Sequence, residues 1–177
     1  MCGIAVHLSL DGPAQPLDLQ LMRHRGPDSS GEWTSSNGRC WLGNTRLAIV
    51  DLSLTGAQPM TDPANGNVVV VNGEIYNHRA LRAQLGPDIS WKGTSDTETL
   101  LRGYGRWGHG VLDHLKGMFA FAIYDTAHDE LFFARDRLGM KPLYYVTDSN
   151  GFRAASEVRV LAAAGPGSIT AQSISSY

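Results

Sequence analysis

Cysteine is scarce in this chain: its 177 residues hold two, Cys2 and Cys40. Two are too few for a disulfide framework or for a zinc site made of thiolates alone. In a reducing compartment they are expected to stay unpaired, and Cys40, inside the apolar run RCWLG, reads as a small core hydrophobe. No apolar run approaches the roughly 18 residues of a membrane helix, so no membrane contact is expected. No basic region precedes the first apolar stretch, which His7 and Asp11 interrupt. That is a poor signal peptide, and a cytoplasmic location is expected. Charge of one sign is also lacking. The net charge is −2 and no basic stripe is visible, which excludes a general affinity for nucleic acid or anionic lipid. The six histidines show no paired ligand spacing. They read as surface or capping residues, and neither a metal site nor a cofactor is expected.

What is there suits one globular domain: 42% hydrophobic and 18% charged residues. Strand-like runs recur at 3–9, 39–45, 47–51, 68–72, 119–124, 130–135, 143–147 and 152–155. Two of them, VVVV and FAFAIY, are continuously apolar, as in strands covered on both faces. Helices are expected at 17–24, 78–85, 156–164 and, most clearly, in SDTETLLRGYGRWG, where Thr94 or Ser95 can cap and Glu98 sits in the first turn. Periodicity leaves the choice between α/β and α+β open. Residues 1–165 are expected to form the domain, and the small, polar residues 166–177 a frayed tail.

The start of the chain, MCGIAVHL, raises a chemical question. A terminal thiol is an oxidation liability unless it has a use. The strand that follows would tie it into a sheet and fix its place. Polar clusters at the ends of other apolar runs have the same character, because they set functional groups on rigid supports. They include Arg46 in NTRLAIVD, Asn72-Gly73-Glu74 after VVVV, and Asp96 at a helix start.

Eight segments in order carry a resemblance: MCGIAV, RHRGPDSSG, RLAIVD, GAQPM, VNGEIYNH, SDTET, GMFAFAIYD and ARDRLGMKPLYY. The chain resembles the class II, or N-terminal nucleophile, glutamine amidotransferases, and in particular the glutaminase domain of asparagine synthetases. The likeness covers about residues 1–161 and implies an α+β fold, a four-layer αββα sandwich. It also implies that Met1 is removed. Cys2 then supplies both the nucleophilic thiol and, through its free α-amine of reference pKa about 7.7–8.0, the base. The resemblance gives the oxyanion donors as the Asn72 side chain and the Gly73 N–H. Arg46 takes the α-carboxylate of L-glutamine, Asp96 and Glu74 its α-ammonium, and the backbone of Ile49 and Val50 lines the same pocket. The implied reaction is hydrolysis of L-glutamine to glutamate and ammonia through a Cys2 thioester. The implied partner is a synthetase domain or subunit that accepts the ammonia.

Taken one by one, these residues have other readings. Cys2 can be a buried thiol, Arg46 a salt-bridged scaffold residue, Asn72-Gly73 a hairpin turn, and Asp96 a helix cap. Glycine at position 3 is expected to let the backbone pass close to the substrate. Arg25 and Asp28 are expected to shape a loop over the site. Two departures from the family pattern stand out. Asn44 occupies a position where many members have histidine, and no SGGLDS-type or P-loop segment of an ATP-binding synthetase domain is present. A glutamine-binding or synthetase-docking module without turnover, and an N-terminal nucleophile hydrolase for another amide, are the alternative functions.

Overall fold

The structure, a computed structural model, describes residues 1–165. Residues 166–177, expected to be a tail, lie outside the described residues. Two antiparallel sheets are built from nine strands: β1 (Gly3–Ser9), β2 (Ser29–Thr34), β3 (Cys40–Arg46), β4 (Met60–Thr61), β5 (Val68–Ile75), β6 (Gly117–Asp125), β7 (Glu130–Arg135), β8 (Tyr144–Asp148) and β9 (Gly151–Ala155). One sheet runs β2-β3-β1-β9-β8 and the other β4-β5-β6-β7. Helices α1 (His78–Leu85) and α2 (Asp96–Trp107) lie on the second sheet. A 3-10 segment, Leu19–Arg25, and helix α3 (Val158–Ala163) lie on the first.

Three apolar clusters fill the three gaps between four layers, which makes the chain an αββα sandwich of the α+β class. Ile4, Val6, Leu42, Val68, Val70, Ala120 and Ala122 meet between the sheets. Val69, Val71, Leu81, Leu100, Phe119, Phe121 and Ile123 meet under α1 and α2. Ala5, Trp41, Met22, Ala155 and Val160 meet on the outer side of the first sheet. Side chains alternate across a strand, so each central strand feeds two clusters, its even and odd positions facing opposite ways. This explains the continuous run VVVV: every valine is fully buried, two on each face. Each such side chain contributes about 1.5–3 kcal/mol of burial.

The structure departs from the sequence expectation in a few places. Residues 47–51 form no strand, because β1 and β2 pair with β3 only as far as Thr45 and Arg46. Ile49 and Val50 are exposed there. Strand β5 continues past residue 72, so Asn72-Gly73 is not a hairpin turn. Strand β2 was not expected from SSGEWT, which is polar because it lies at the edge of its sheet and is mostly exposed. The helix expected at 17–24 is the 3-10 segment, capped by the Asp18 side chain on the Gln20 N–H at 2.9 Å. His7 is buried, and its Nδ1 accepts from the Gln15 N–H at 2.8 Å. Among the described residues, no helix is long and apolar enough to cross a membrane.

Candidate active site

The gap between the two sheets is apolar along most of its length and turns polar at one end. On the inward face of β1, Val6 and Ile4 are followed by Cys2, one residue before the strand begins. On β3, Cys40 and Leu42 give way to Asn44 and Arg46. On β5, Val68 and Val70 give way to Asn72 and Glu74. A cavity of about 170 Å³ opens there, below the usual range for drug-sized ligands and of the scale of one small metabolite. All eight residues singled out in the sequence line it: Cys2, Arg46, Ile49, Val50, Asn72, Gly73, Glu74 and Asp96.

The Cys2 thiol is partly buried. Its Sγ lies 3.4 Å from the Leu47 N–H donor and 3.5 Å from the Leu47 carbonyl oxygen. Burial pushes its pKa up, against the lowering influence of the Leu47 N–H, the amino terminus and Arg46, while Asp96 adds to the rise. These are the influences with Met1 in place, whose amino group is the terminus concerned; on balance they disfavour the thiolate. The Cys2 carbonyl accepts from Arg25 Nε at 3.0 Å, and Asp28 Oδ2 accepts the Ala48 N–H at 2.8 Å. These two residues hold the Cys2 peptide and the 47–56 loop.

Arg46 ends β3 and is 8% exposed. Its Nη1 donates to the Ser53 carbonyl at 3.0 Å and its Nη2 to the Asp51 carbonyl. Among the described residues no carboxylate pairs with it. The scaffold reading of Arg46 needed such a pair. Asp96 is equally without a cationic partner among the described residues. It is the first residue of α2, whose N-cap is Ser95, with its side chain on the Glu98 N–H at 3.1 Å. The Asp96 carboxylate instead accepts the Ile75 N–H at 2.8 Å and the Thr97 N–H at 3.0 Å.

Asn72 is fully buried, and neither its Nδ2 nor its Oδ1 has a hydrogen-bond partner among the described residues. A buried amide left unpaired costs about 1–3 kcal/mol, so such a group marks a place where a ligand completes the bonding. Gly73 faces β6 so closely that a Cβ would sit 2.2 Å from the Met118 carbonyl oxygen. At Gly3 a Cβ would sit 2.7 Å from Thr45 Oγ1 and within 3.2 Å of Met22, so the packing of the first sheet also calls for glycine there.

Several cavity residues were not assigned from the sequence: Leu47, Asp51, Gln58, Thr97, Met118 and Lys141. Asp51 closes RLAIVD and gathers the 47–56 loop. It accepts from the Ser53 N–H and hydroxyl at 2.9 and 2.7 Å, from Thr55 Oγ1 at 3.0 Å and from the Thr94 N–H at 3.0 Å. Burial opposes its ionisation, but these bonds outweigh it and hold the carboxyl well below the usual range. Gln58 lies in GAQPM, a segment that the sequence flags without giving it a role. Lys141 is buried, and its Nζ lies 3.0 Å from the Met1 thioether.

A family profile described as "Glutamine amidotransferase domain" matches residues 1–177. The chain belongs to that family. This domain is similar to asparagine synthetase B (glutamine-hydrolyzing) of Escherichia coli K12, 47% identical over 80% of the chain and 25% of the relative. It is also similar to asparagine synthetase (glutamine-hydrolyzing) 3 of Bacillus subtilis, 41% identical over 92% of the chain and 28% of the relative. "Amidase chry2" of Gibberella zeae is 38% identical over 93% of the chain and 27% of the relative. The amidotransferase domain thus spans about a quarter of the length of these relatives. Its fold matches that of glutamine phosphoribosylpyrophosphate amidotransferase from B. subtilis, with a TM-score of 0.70 at 20% identity over 91% of this chain and 43% of that one.

Proposed function

We propose that this amidotransferase domain hydrolyses L-glutamine to L-glutamate and ammonia, with Cys2 as nucleophile. The observation that carries the reading is charge arrangement. One cavity holds a guanidinium and a carboxylate, Arg46 and Asp96, neither paired with an opposite charge among the described residues, beside a thiol and an unsatisfied amide. A free amino acid bearing a side-chain amide complements that set: its carboxylate faces Arg46, and its ammonium faces Asp96 and Glu74. The glutamine-hydrolyzing relatives support the same substrate.

Removal of Met1 frees the α-amine of Cys2. That amine takes the thiol proton as sulfur attacks the side-chain amide carbon, and the carbonyl oxygen becomes an oxyanion. Asn72 Nδ2 and the Gly73 N–H donate to it; one such donor is typically worth about 3–4 kcal/mol in the transition state. The C–N bond breaks as the α-ammonium protonates the leaving nitrogen, giving ammonia and a thioester. Water, deprotonated by the same amine, attacks the thioester, and glutamate leaves. A synthetase domain or subunit that consumes the ammonia is the partner this reading implies. The test is to mix Met1-free protein with glutamine and measure both products. Equal release of glutamate and ammonia, lost in Cys2→Ala, is expected; turnover that survives in Cys2→Ala overturns the assignment.

A further inference from the structure

Gln58 sits where three elements of the site converge. Its Oε1 accepts the Val71 N–H at 2.6 Å and the Asn44 Nδ2 at 3.4 Å, and its Nε2 donates to Thr97 Oγ1 at 3.2 Å. Asn44 Nδ2 also donates to the Gly3 carbonyl at 3.2 Å, next to the nucleophile. One side chain therefore links β5, which carries Asn72 and Gly73, to α2, which carries Asp96, and through Asn44 to the strand behind Cys2.

The N–H groups along β5 show what this link controls. Successive N–H groups of a strand point to opposite edges. The Tyr76 N–H donates to the Lys116 carbonyl at 2.7 Å, so the even-numbered set faces β6. The odd-numbered set, Val71, Gly73 and Ile75, faces the other edge. There β4 pairs only with Val68 and Val69, and the backbone ladder stops. Gln58 takes the Val71 N–H and Asp96 takes the Ile75 N–H. The Gly73 N–H lies between these two anchors, on the edge lined by the cavity residues Gln58 and Asp96.

We propose that Gln58 is a positioning residue for the oxyanion site, an inference that rests on the glutamine-hydrolysis reading above. It substitutes for the missing strand at the β5 edge and so fixes the direction of the Gly73 N–H and the Asn72 side chain relative to Cys2. Without it, the Val71 peptide turns to find another acceptor and carries the next two residues with it. The oxyanion exists only in the transition state, whereas glutamine binding depends on Arg46 and Asp96. A misplaced oxyanion site therefore lowers kcat and leaves KM in place.

The test uses Met1-free protein in three forms: unaltered, Cys2→Ala and Gln58→Met, the last keeping length and bulk without the hydrogen bonds. Gln58→Met is expected to lower kcat about 10- to 100-fold with KM within about threefold, and to speed amide hydrogen exchange at Val71. Retained kcat, or a raised KM at unchanged kcat, overturns the Gln58 assignment while turnover of the unaltered protein upholds the reading beneath it. Unaltered protein without turnover overturns both. Should Gln58→Met not fold, Thr97→Val cuts only the anchor on α2 and is expected to lower kcat about threefold to tenfold at constant KM. An unchanged kcat there also overturns the proposal.

Discussion

The guanidinium of Arg46 donates to the Ser53 carbonyl at 3.0 Å, and to the Asp51 carbonyl beside it. Both acceptors are neutral, so the guanidinium is oriented while no carboxylate among the described residues pairs with it. The loop that supplies these carbonyls is itself drawn together by the Asp51 carboxylate. Arg46 thus has a fixed direction and remaining N–H donors for an anion.

Replacing Arg46 removes the proposed anion site; its lowering influence on the Cys2 thiol, smaller than the effect of burial, is lost as well and acts on every substrate alike. Arg46→Ala is expected to raise KM for glutamine about 10- to 100-fold, the scale of lost charge-assisted hydrogen bonds. Hydrolysis of an uncharged primary amide should change little. Steady-state kinetics on both substrates check this; an equal effect on the two would favour a hydrolase for another amide.

Asn72 separates function from stability. Its side-chain amide is buried and has no hydrogen-bond partner among the described residues, so it adds no side-chain hydrogen bond to the packing of those residues. Asn72→Ala is expected to lower kcat about 10²- to 10³-fold, as loss of one oxyanion donor does elsewhere. Its melting temperature should stay within a few degrees of the parent or rise. A large drop in melting temperature with kcat retained would assign Asn72 to the scaffold.

Asp136 gives the pH dependence of stability. Its buried carboxylate accepts from the N–H groups of Phe119, Leu138, Met140 and Lys141, the longest at 3.2 Å. Burial opposes ionisation, but these donors outweigh it and set the pKa below the ordinary value. Asp51 is lowered in the same way. A carboxyl depressed in the folded state adds stability that is complete above its unfolded pKa, about 3.9, and is lost as pH falls through the folded value. The carboxylate part of the stability is expected to be nearly flat from pH 7 to about 5 and to fall below about pH 4, while His78, held below its ordinary pKa by burial, adds a separate loss as pH drops through about 6.5. Asp136→Asn should cost ~1–3 kcal/mol at pH 7 and weaken the acid dependence. Equal stability of the two proteins at pH 7 would contradict this.

Much of the fold was legible because the central strands are made of apolar residues with turn signals between them. The candidate site was legible through RLAIVD, VNGEIYNH and SDTET, where polar residues stand beside an apolar run or at a helix start. Its geometry was not. VVVV hides its own alternation, so the sequence does not say that Asn72 and Glu74 share the inward face with Val68 and Val70 while Gly73 sits on the other. Ile49 and Val50 read as strand because they are β-branched, and only the end of pairing at Thr45 and Arg46 releases them to the cavity rim. Gln58 and Asp51 act through contacts with residues distant in the chain or with backbone groups, which leave no periodic or compositional trace.

The central claim is that the Cys2 thiol is the nucleophile facing a cavity shaped for glutamine. Incubating Met1-free protein with a glutamine analogue that carries an electrophilic group at the side-chain end, followed by peptide mass spectrometry, tests it most directly. The account predicts one adduct, on Cys2, suppressed by excess glutamine and much reduced in Arg46→Ala. Cys40 serves as the internal control: it is fully buried, and burial, with Asp129 adding, pushes its pKa up to about 12. Labelling at Cys40 in place of Cys2, or labelling of Cys2 that excess glutamine does not slow, would contradict the account.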